Sequence, residues 1–264
     1  LGYGNTNVIG DNETPASAGP VSLGSTAIDI STGYFSSCAI LTGGTVNCWG
    51  YNNVGQLGRS NMTDIGVNET PQSAGTLNLG GATAKSVYSG GGRSCIITNT
   101  DNVMCWGDGS NGMLGYGNTN TIGDNETPGS AGNVNLGGAT ITQLAMGNAH
   151  TCALTSSGTV YCWGDGGNGN LGYNGTADIG DNETPVSAGT VNVGGTVTKI
   201  AAGVEHSCAL LTTGAVRCWG RNQNGQLGYG NTNNIGDNEL PSSAGDVSVG
   251  GTVIDLFAGD HNTC

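Results

Sequence analysis

The chain has 264 residues, of which 9% are charged, 5% are aromatic and 51 are glycine, and its formal net charge is −13. Its few basic residues are scattered along the chain, at Arg59, Lys85, Arg93, Lys199, Arg217 and Arg221. Nucleic acids and anionic membranes select clustered lysine and arginine, so we expect neither as a partner. The sequence contains no apolar run long enough to span a bilayer, and we expect no membrane insertion.

The composition also predicts the class of secondary structure. Glycine and β-branched residues dominate, and no long apolar period of 3.6 residues appears, which disfavours helices. Many short strands joined by tight turns are the expected alternative.

A Leu-Gly landmark divides the chain into units of 56 or 57 residues that begin at about Leu1, Leu57, Leu114, Leu171 and Leu227. Each unit opens with a long polar loop such as "GYGNTNTIGDNETPGSAGN", followed by a short "VNLGG" segment. An alternating strand such as "TITQLAMG" comes next, and a hairpin such as "HTCALTSSGTVYCWG" ends the unit. With about 4.7 units, the last one incomplete, we expect residues 1–264 to form one repeat domain that is a window of a longer array.

A unit with three or four short strands cannot bury both faces of its own sheet. Stacked neighbours solve that problem in a propeller or a solenoid. Alternation places Cys152, Leu154, Val160 and Cys162 of one hairpin on the same face. One tryptophan in each complete hairpin supplies a large packing area, and the four are Trp49, Trp106, Trp163 and Trp219.

The stretch "AAGVEHSCALLTTGAVRCWGRNQNGQLGYG", residues 201–230, resembles the repeat of the regulator of chromosome condensation family. The shared features are Ala-Gly, a histidine, a Leu-x-x-x-Gly hairpin and Trp-Gly-x-Asn-x-x-Gly-Gln-Leu-Gly, and the likeness extends over essentially all units. It implies an all-β fold, a β-propeller of four-stranded blades, commonly seven. The chain departs from the family in its longer "NTNxIGDNETPxSAG" loop and in its number of units. A closed ring of five blades would lack a strand.

Eight of the nine cysteines form pairs ten residues apart in the hairpins: Cys38 and Cys48, Cys95 and Cys105, Cys152 and Cys162, Cys208 and Cys218. Directly opposed residues of a hairpin lie within disulfide range, so we predict one disulfide per unit and an oxidising compartment. Buried free thiols are the alternative, and two thiolates alone make only half a zinc site. Cys264 lacks a partner, which indicates truncation or an intermolecular bond. The pairs make the chain similar to a bacterial-type secreted member with disulfide-bearing blades.

Two groups of polar residues are candidates for chemistry. His150 and His206 occupy the same place in their units, and we interpret them as ties between neighbouring blades because a catalytic base is needed only once. The recurring "IGDNETP" loop suits Ca²⁺ through Asp11, Glu13, Asp124, Glu126, Asp181, Glu183, Asp237 and Glu239. The alternative is a solvated Asx-turn, since Val67 replaces the aspartate in one unit. No other cofactor is indicated.

The functional hypothesis is a non-enzymatic extracellular propeller, secreted or at the cell surface, that binds proteins or serves as an adhesive or structural scaffold. The family includes a nucleotide-exchange factor that acts on chromatin, whose basic surface this chain lacks, and a secreted bacterial inhibitor of β-lactamases, so an inhibitor-like binder is an alternative. Open sheet edges favour self-assembly into a filament as a variant. A polysaccharide-acting enzyme using Asp165, Asp181 or Glu183 is the weakest alternative. The long acidic loops are the expected binding surface.

Overall fold

The structure is a computed structural model that describes residues 1–264. It consists of four antiparallel sheets of three strands each, four one-turn α-helices and three short 3₁₀ turns. The chain divides into two compact units. The first comprises residues 1–99, 104–108 and 121–132, and the second comprises residues 100–103, 109–120 and 133–264.

The first unit holds two sheets, with strand orders β1-β2-β3 and β4-β5-β6; of these strands only Val103 belongs to the second unit. Its elements are α1 (Pro15–Ala18), β1 (Ala27–Thr32), β2 (Ser36–Leu41), β3 (Val46–Gly50), α2 (Pro71–Ala74), β4 (Ala84–Gly90), β5 (Arg93–Thr98), β6 (Val103–Gly107) and α3 (Pro128–Ala131).

The second unit holds the sheets β7-β8-β9 and β10-β11-β12. Its elements are a 3₁₀ turn at Ser110–Gly112, β7 (Ile141–Met146), β8 (His150–Thr155), β9 (Val160–Gly164), a 3₁₀ turn at Gly167–Gly169, α4 (Pro185–Ala188), β10 (Val197–Ala202), β11 (His206–Leu211), β12 (Val216–Gly220) and a 3₁₀ turn at Pro241–Ser243. No helix of the chain is both long enough and apolar enough to cross a bilayer.

The hairpins form where the alternating pattern predicts them. Between β8 and β9, the Thr155 amide donates to the Thr159 carbonyl at 2.9 Å and the Gly158 amide donates to the Thr155 carbonyl at 3.0 Å. Gly158 has φ of 79°, the left-handed conformation that closes a three-residue hairpin loop. In the hairpin β5–β6 the non-glycine residue Asp101 adopts the same sign of φ, at 61°.

The expected fourth strand of each blade is reduced to two single contacts with the third strand. Beside β9, Ile179 forms an isolated bridge with Gly164, and the Val191 amide donates to the Val160 carbonyl at 2.8 Å. The "GDNETPVSAG" insert separates these contacts, and Pro185 within it has no amide hydrogen to continue a ladder. The fold class is as predicted, but the blade has three strands because the insert interrupts the fourth.

Part of the polar loop is helical, which the composition did not predict. Pro71 opens α2 at its first position, the Thr70 hydroxyl accepts from the Ser73 amide, and Gly75 ends the helix at φ of 78°. Proline at this position is preorganised for a helix, and Thr70 and Ser73 form a capping box at its N-terminal end. The recurring letters "TPxSAG" therefore form a one-turn helix in four repeats, and the threonine side chain caps it in α2 and α3.

The core of the second unit lies between its two sheets. The four hairpin residues expected to share a face are all buried in it, namely Cys152, Leu154, Val160 and Cys162. Trp219 and Leu227 of the next repeat complete the same cluster. Burial of one such aliphatic side chain contributes about 1.5–3 kcal/mol, so the apolar hairpin face supplies much of the stability of this unit.

Candidate functional site

The predicted cysteine pairs are disulfides in the structure: Cys38–Cys48, Cys95–Cys105, Cys152–Cys162 and Cys208–Cys218, with Cα–Cα distances of 4.0–4.1 Å. The two members of a pair face each other in the register of adjacent strands, as Cys152 and Cys162 do in β8 and β9. All eight are buried. The bonds therefore cross-link the two strands of each hairpin in the protein interior, where dissolved reductants do not reach them.

Cys264 is free and exposed. Its amide donates to the Phe257 carbonyl and its carbonyl accepts from the Phe257 amide, both at 2.9 Å. Cys152 lies opposite Ala145 in the same register, so Cys264 occupies the position that the first cysteine of a pair takes in the other repeats. An intermolecular bond through this thiol stays a prediction.

The tryptophans tie each hairpin to the preceding repeat. The Trp106 indole donates to the Gln56 carbonyl at 2.9 Å, and the Trp163 indole donates to the Met113 carbonyl at 3.1 Å. Trp219 repeats the contact with the Asn170 carbonyl at 3.0 Å. Trp49 is also buried, and its indole lies against Gly2. These residues pack the hairpins and connect neighbouring repeats.

The histidines also connect repeats. His150 Nε2 lies 2.8 Å from the Ser207 hydroxyl, and His206 Nε2 lies 2.9 Å from the Thr263 hydroxyl. Both histidines are fully buried. Burial, together with the nearby charge of His261, lowers the pKa of His206 to about 4. Both histidines therefore tie neighbouring repeats by hydrogen bonds, as the sequence led us to expect.

Hydrogen bonds within the acidic loops stabilise the turns that the loops form. The Asn125 amide donates to Asp124 Oδ1 at 2.9 Å and to Glu126 Oε2 at 3.2 Å, and the Asn182 amide makes the same pair of bonds to Asp181 and Glu183. Burial raises the pKa of Glu126, and so does its hydrogen bond with Asp124. No group of three or more His, Cys, Asp or Glu side chains is arranged to hold a metal ion. Calcium binding stays a prediction from sequence.

The Ile-Gly pair at the start of the acidic loop packs against the preceding repeat. The Gly180 Cα lies so close to the Gly112 carbonyl of the preceding repeat that an added Cβ would be 2.5 Å from its oxygen. Gly236 approaches Gly169 in the same way, with 2.6 Å to the carbonyl oxygen. The "IG" at residues 179–180 and 235–236 therefore docks on the preceding repeat.

Arg59, which breaks the repeat, also has a structural role. In the intact pattern the Tyr173 hydroxyl donates to the Gly189 carbonyl at 3.0 Å and accepts from the Cys162 amide at 3.1 Å. Arg59 occupies the tyrosine position and donates to the carbonyls of Ala74 at 2.7 Å and Gly75 at 2.8 Å. The guanidinium thus replaces the phenol as the group that fastens the loop to the third strand.

A surface that the sequence analysis missed lies on the first repeat. Tyr34 and Phe35, between β1 and β2, are 59% and 74% exposed, and Tyr51, directly after β3, is 44% exposed. The Phe35 ring centroid lies 6.2 Å from that of Tyr34 and 6.2 Å from that of Tyr51. We call Tyr34, Phe35 and Tyr51 the aromatic cluster. A comparison of the repeats would have found it, because the matching residues elsewhere are not aromatic.

The fourth repeat has two charged residues at these positions. The Tyr51 amide donates to the Phe35 carbonyl at 2.9 Å, and the Arg221 amide donates to the Glu205 carbonyl at 2.8 Å. Glu205 and Arg221 are therefore the counterparts of Phe35 and Tyr51, and their side chains form an ion pair. The same backbone arrangement therefore presents an ion pair in the fourth repeat and two aromatic rings in the first.

Known repeat models and known proteins are similar to this chain. A model of the "Regulator of chromosome condensation (RCC1) repeat" matches residues 27–56, 84–112, 141–170 and 197–226, and a second model of that repeat matches residues 157–210 and 213–264. Human probable E3 ubiquitin-protein ligase HERC4 is 33% identical over 209 residues, which cover 78% of this chain and 18% of the ligase. The ultraviolet-B receptor UVR8 of Arabidopsis thaliana is 35% identical over 147 residues, or 55% of this chain and 31% of the receptor.

Solved structures agree. Yeast RCC1 (Prp20), solved with Kap60, superposes with a TM-score of 0.74 at 18% identity, covering 92% of this chain and 54% of that one. Human WBSCR16 gives 0.71 at 21% identity, with coverages of 92% and 58%. At such identities the likeness shows the β-propeller fold alone, and the chain spans under two thirds of each of these proteins. Because the repeat models match over half of its residues, the chain belongs to the regulator of chromosome condensation (RCC1) repeat family.

Proposed function

We propose that the chain is a non-enzymatic, protein-binding propeller that works extracellularly, secreted or at the cell surface, and that the aromatic cluster is its contact surface. The observation that carries the proposal is a group of three adjacent aromatic rings on one repeat, at positions where the other repeats have no aromatic residue. Exposed tyrosine and phenylalanine side chains are enriched at interface centres and dominate binding energies there.

The disulfides support the proposed compartment. Four buried cross-strand disulfides are typical of proteins that fold in oxidising surroundings. The cysteines of a cytosolic chain would instead remain thiols.

The carboxylates considered for catalysis support the non-enzymatic assignment. Asp165 Oδ1 accepts from the Gly167 amide at 2.9 Å, and Asp181 and Glu183 both accept from the Asn182 amide. These groups serve local turns, and two acids that share one amide are not placed on opposite sides of a scissile bond.

A double exchange tests the proposal with its own internal control. Phe35→Glu with Tyr51→Arg installs the ion pair that Glu205 and Arg221 form in the fourth repeat, which removes the rings without changing the net charge. Both proteins would be immobilised and exposed to the secreted fraction of the source organism, with cross-linking and quantitative mass spectrometry. We expect a partner that wild type retains and the exchange loses. Identical retained sets would refute the assignment of the surface.

A further inference from the structure

We propose that Asn61 and Asn174 carry N-linked glycans, so that two loops of the array are modification sites. The inference rests on the extracellular part of the proposed function, because N-linked sugars are found on the surface loops of exported chains. Both residues begin the acceptor pattern Asn-x-Thr without proline at its second position. Residues 61–63 read "NMT" and residues 174–176 read "NGT".

The two acceptors arise where a repeated loop departs from its usual sequence. The loops after Leu1, Leu114 and Leu227 read "NTN" at residues 5–7, 118–120 and 231–233, with asparagine where an acceptor requires threonine. In the second unit Thr63 takes that place, and in the fourth unit the acceptor begins one residue earlier, at Asn174. The other three loops therefore serve as natural controls without the pattern.

The loop that contains Asn61 presents its side chains to solvent. Asn61, Met62 and Thr63 are all exposed. The buried Asn52 side chain donates to the carbonyls of Asn61 at 2.7 Å and Thr63 at 3.1 Å, which fixes the backbone of the loop from below. Asn61 Oδ1 accepts from the Thr63 amide at 2.9 Å, an Asx-turn that brings the two acceptor residues together. A glycan on Asn61 would therefore extend into solvent.

Both loops lie inside the array, with a complete hairpin before them and a further repeat after them. The Asn61 amide donates to the Gly123 carbonyl at 3.2 Å, and the Gly175 amide donates to the Gly236 carbonyl at 2.9 Å. Asn174 and Thr176 nevertheless stay exposed. Asn174 has φ of 63°, a left-handed conformation that asparagine tolerates. The contact with the following repeat thus uses the backbone and leaves the acceptor side chains accessible.

Four further Asn-x-Thr matches in the acidic loops are poor acceptors, at Asn12, Asn68, Asn125 and Asn182. Proline follows each of their threonines and restricts the threonine backbone to an extended conformation. In α2 and α3 the threonine hydroxyl also caps the helix, since Thr70 and Thr127 accept from the amides of Ser73 and Ser130. We expect no sugar on these four asparagines.

The modification transfers an oligosaccharide from a lipid-linked diphosphate donor, which a membrane-bound transferase supplies. The bond between the anomeric carbon of the sugar and the diphosphate oxygen breaks, and this carbon forms a bond with Nδ2 of the asparagine. Nδ2 loses a proton to a base of the transferase, and the lipid diphosphate leaves with the electron pair. Asn61 Nδ2 keeps one hydrogen, which suffices for its bond to the Arg59 carbonyl at 3.0 Å.

Glycopeptide mass spectrometry of the protein isolated from its source organism tests the inference. Fragment spectra that place a sugar on Asn61 and on Asn174, and none on the four asparagines of the acidic loops, are the expected result. Detection of both acceptor peptides in unmodified form only would overturn it.

Two variants expressed in the same organism provide matched controls. Thr63→Asn installs the asparagine of the other loops and should remove the sugar from Asn61. Asn120→Thr completes an acceptor at Asn118, whose Oδ1 accepts from the amide of residue 120 at 2.9 Å as Asn61 does from Thr63, and should add a glycan there. A sugar that persists in the first variant, or no gain in the second, would contradict the inference.

The outcome is separable from that of the proposed function. If the secreted chain captures its partner through the aromatic cluster while both acceptor peptides are unmodified, the proposed function stands and the glycosylation is wrong. If both asparagines carry sugar while the exchange Phe35→Glu with Tyr51→Arg loses no partner, the modification stands and the contact surface is wrong.

Discussion

Gly180 lies with its backbone against the carbonyl of Gly112, so that a Cβ added at Gly180 would be 2.5 Å from the Gly112 oxygen. Its φ of 97° is a conformation that residues with side chains rarely adopt. We expect Gly180→Ala to destabilise the protein by about 3 kcal/mol or more, through strain and through separation of two repeats. Chemical denaturation measures this.

Gly189 provides the matched control for that substitution. It also has a left-handed φ, of 83°, but no atom lies within 4 Å of an added Cβ. Gly189→Ala should therefore cost only the conformational strain, about 1–3 kcal/mol, because its φ of 83° with ψ of −164° is a combination that residues with side chains rarely adopt. Equal losses for the two variants would show that the contact with Gly112 contributes nothing.

Asn170 is a site where a conservative change should stabilise the protein. Gln226 Oε1 accepts from the Asn224 amide at 2.9 Å, and Gln56 makes the same contact in its own repeat. Asn170 occupies the matching position, is buried, and leaves both side-chain polar atoms without a partner because it is one methylene shorter. We expect Asn170→Gln to add about 1 kcal/mol to the free energy of unfolding. A urea titration that shows a loss would contradict this.

His206 makes stability depend on pH. Its pKa is about 4 in the folded chain and about 6.5 when unfolded, so the unfolded chain binds the proton more strongly. Its contribution is complete above pH 6.5, decreases as pH falls towards 4, and then levels off at a total loss of about 2–3 kcal/mol. Unfolding of wild type and His206→Ser, which copies Ser36, should be compared across this range. A constant difference between them would contradict the expectation.

The disulfides should resist reduction in the folded state because their sulfur atoms are buried. Intact mass after treatment with reductant and alkylation without denaturant should show one labelled thiol, Cys264, and after the same treatment of the unfolded chain it should show all nine cysteines labelled. Replacement of Cys152 and Cys162 by alanine should cost about 2–3 kcal/mol, since the bond closes a short loop. Full labelling of the folded protein would contradict the buried pairing.

The sequence predicted the hairpins and the cysteine pairing because both depend on local periods: alternation fixes which residues share a face, and a spacing of ten fixes which cysteines meet. It did not predict the loss of the fourth strand, since only the structure shows that Ile179 and Val191 both reach β9 with an insert between them. The sequence analysis missed the aromatic cluster for a different reason. Phe35 and Tyr51 are distant in sequence, and their proximity depends on the register of β2 and β3.

The disulfides all close within a hairpin, and none joins one repeat to the next. Neighbouring repeats are held by reversible contacts such as the Trp163 indole bond and the His150–Ser207 bond. Under mechanical tension the array should therefore extend in steps, one repeat at a time. Unfolding of one 57-residue repeat would lengthen the chain by roughly 160 Å, since each extended residue spans roughly 3.4 Å. This length excludes the residues inside the disulfide loop, which cannot extend until the bond is reduced.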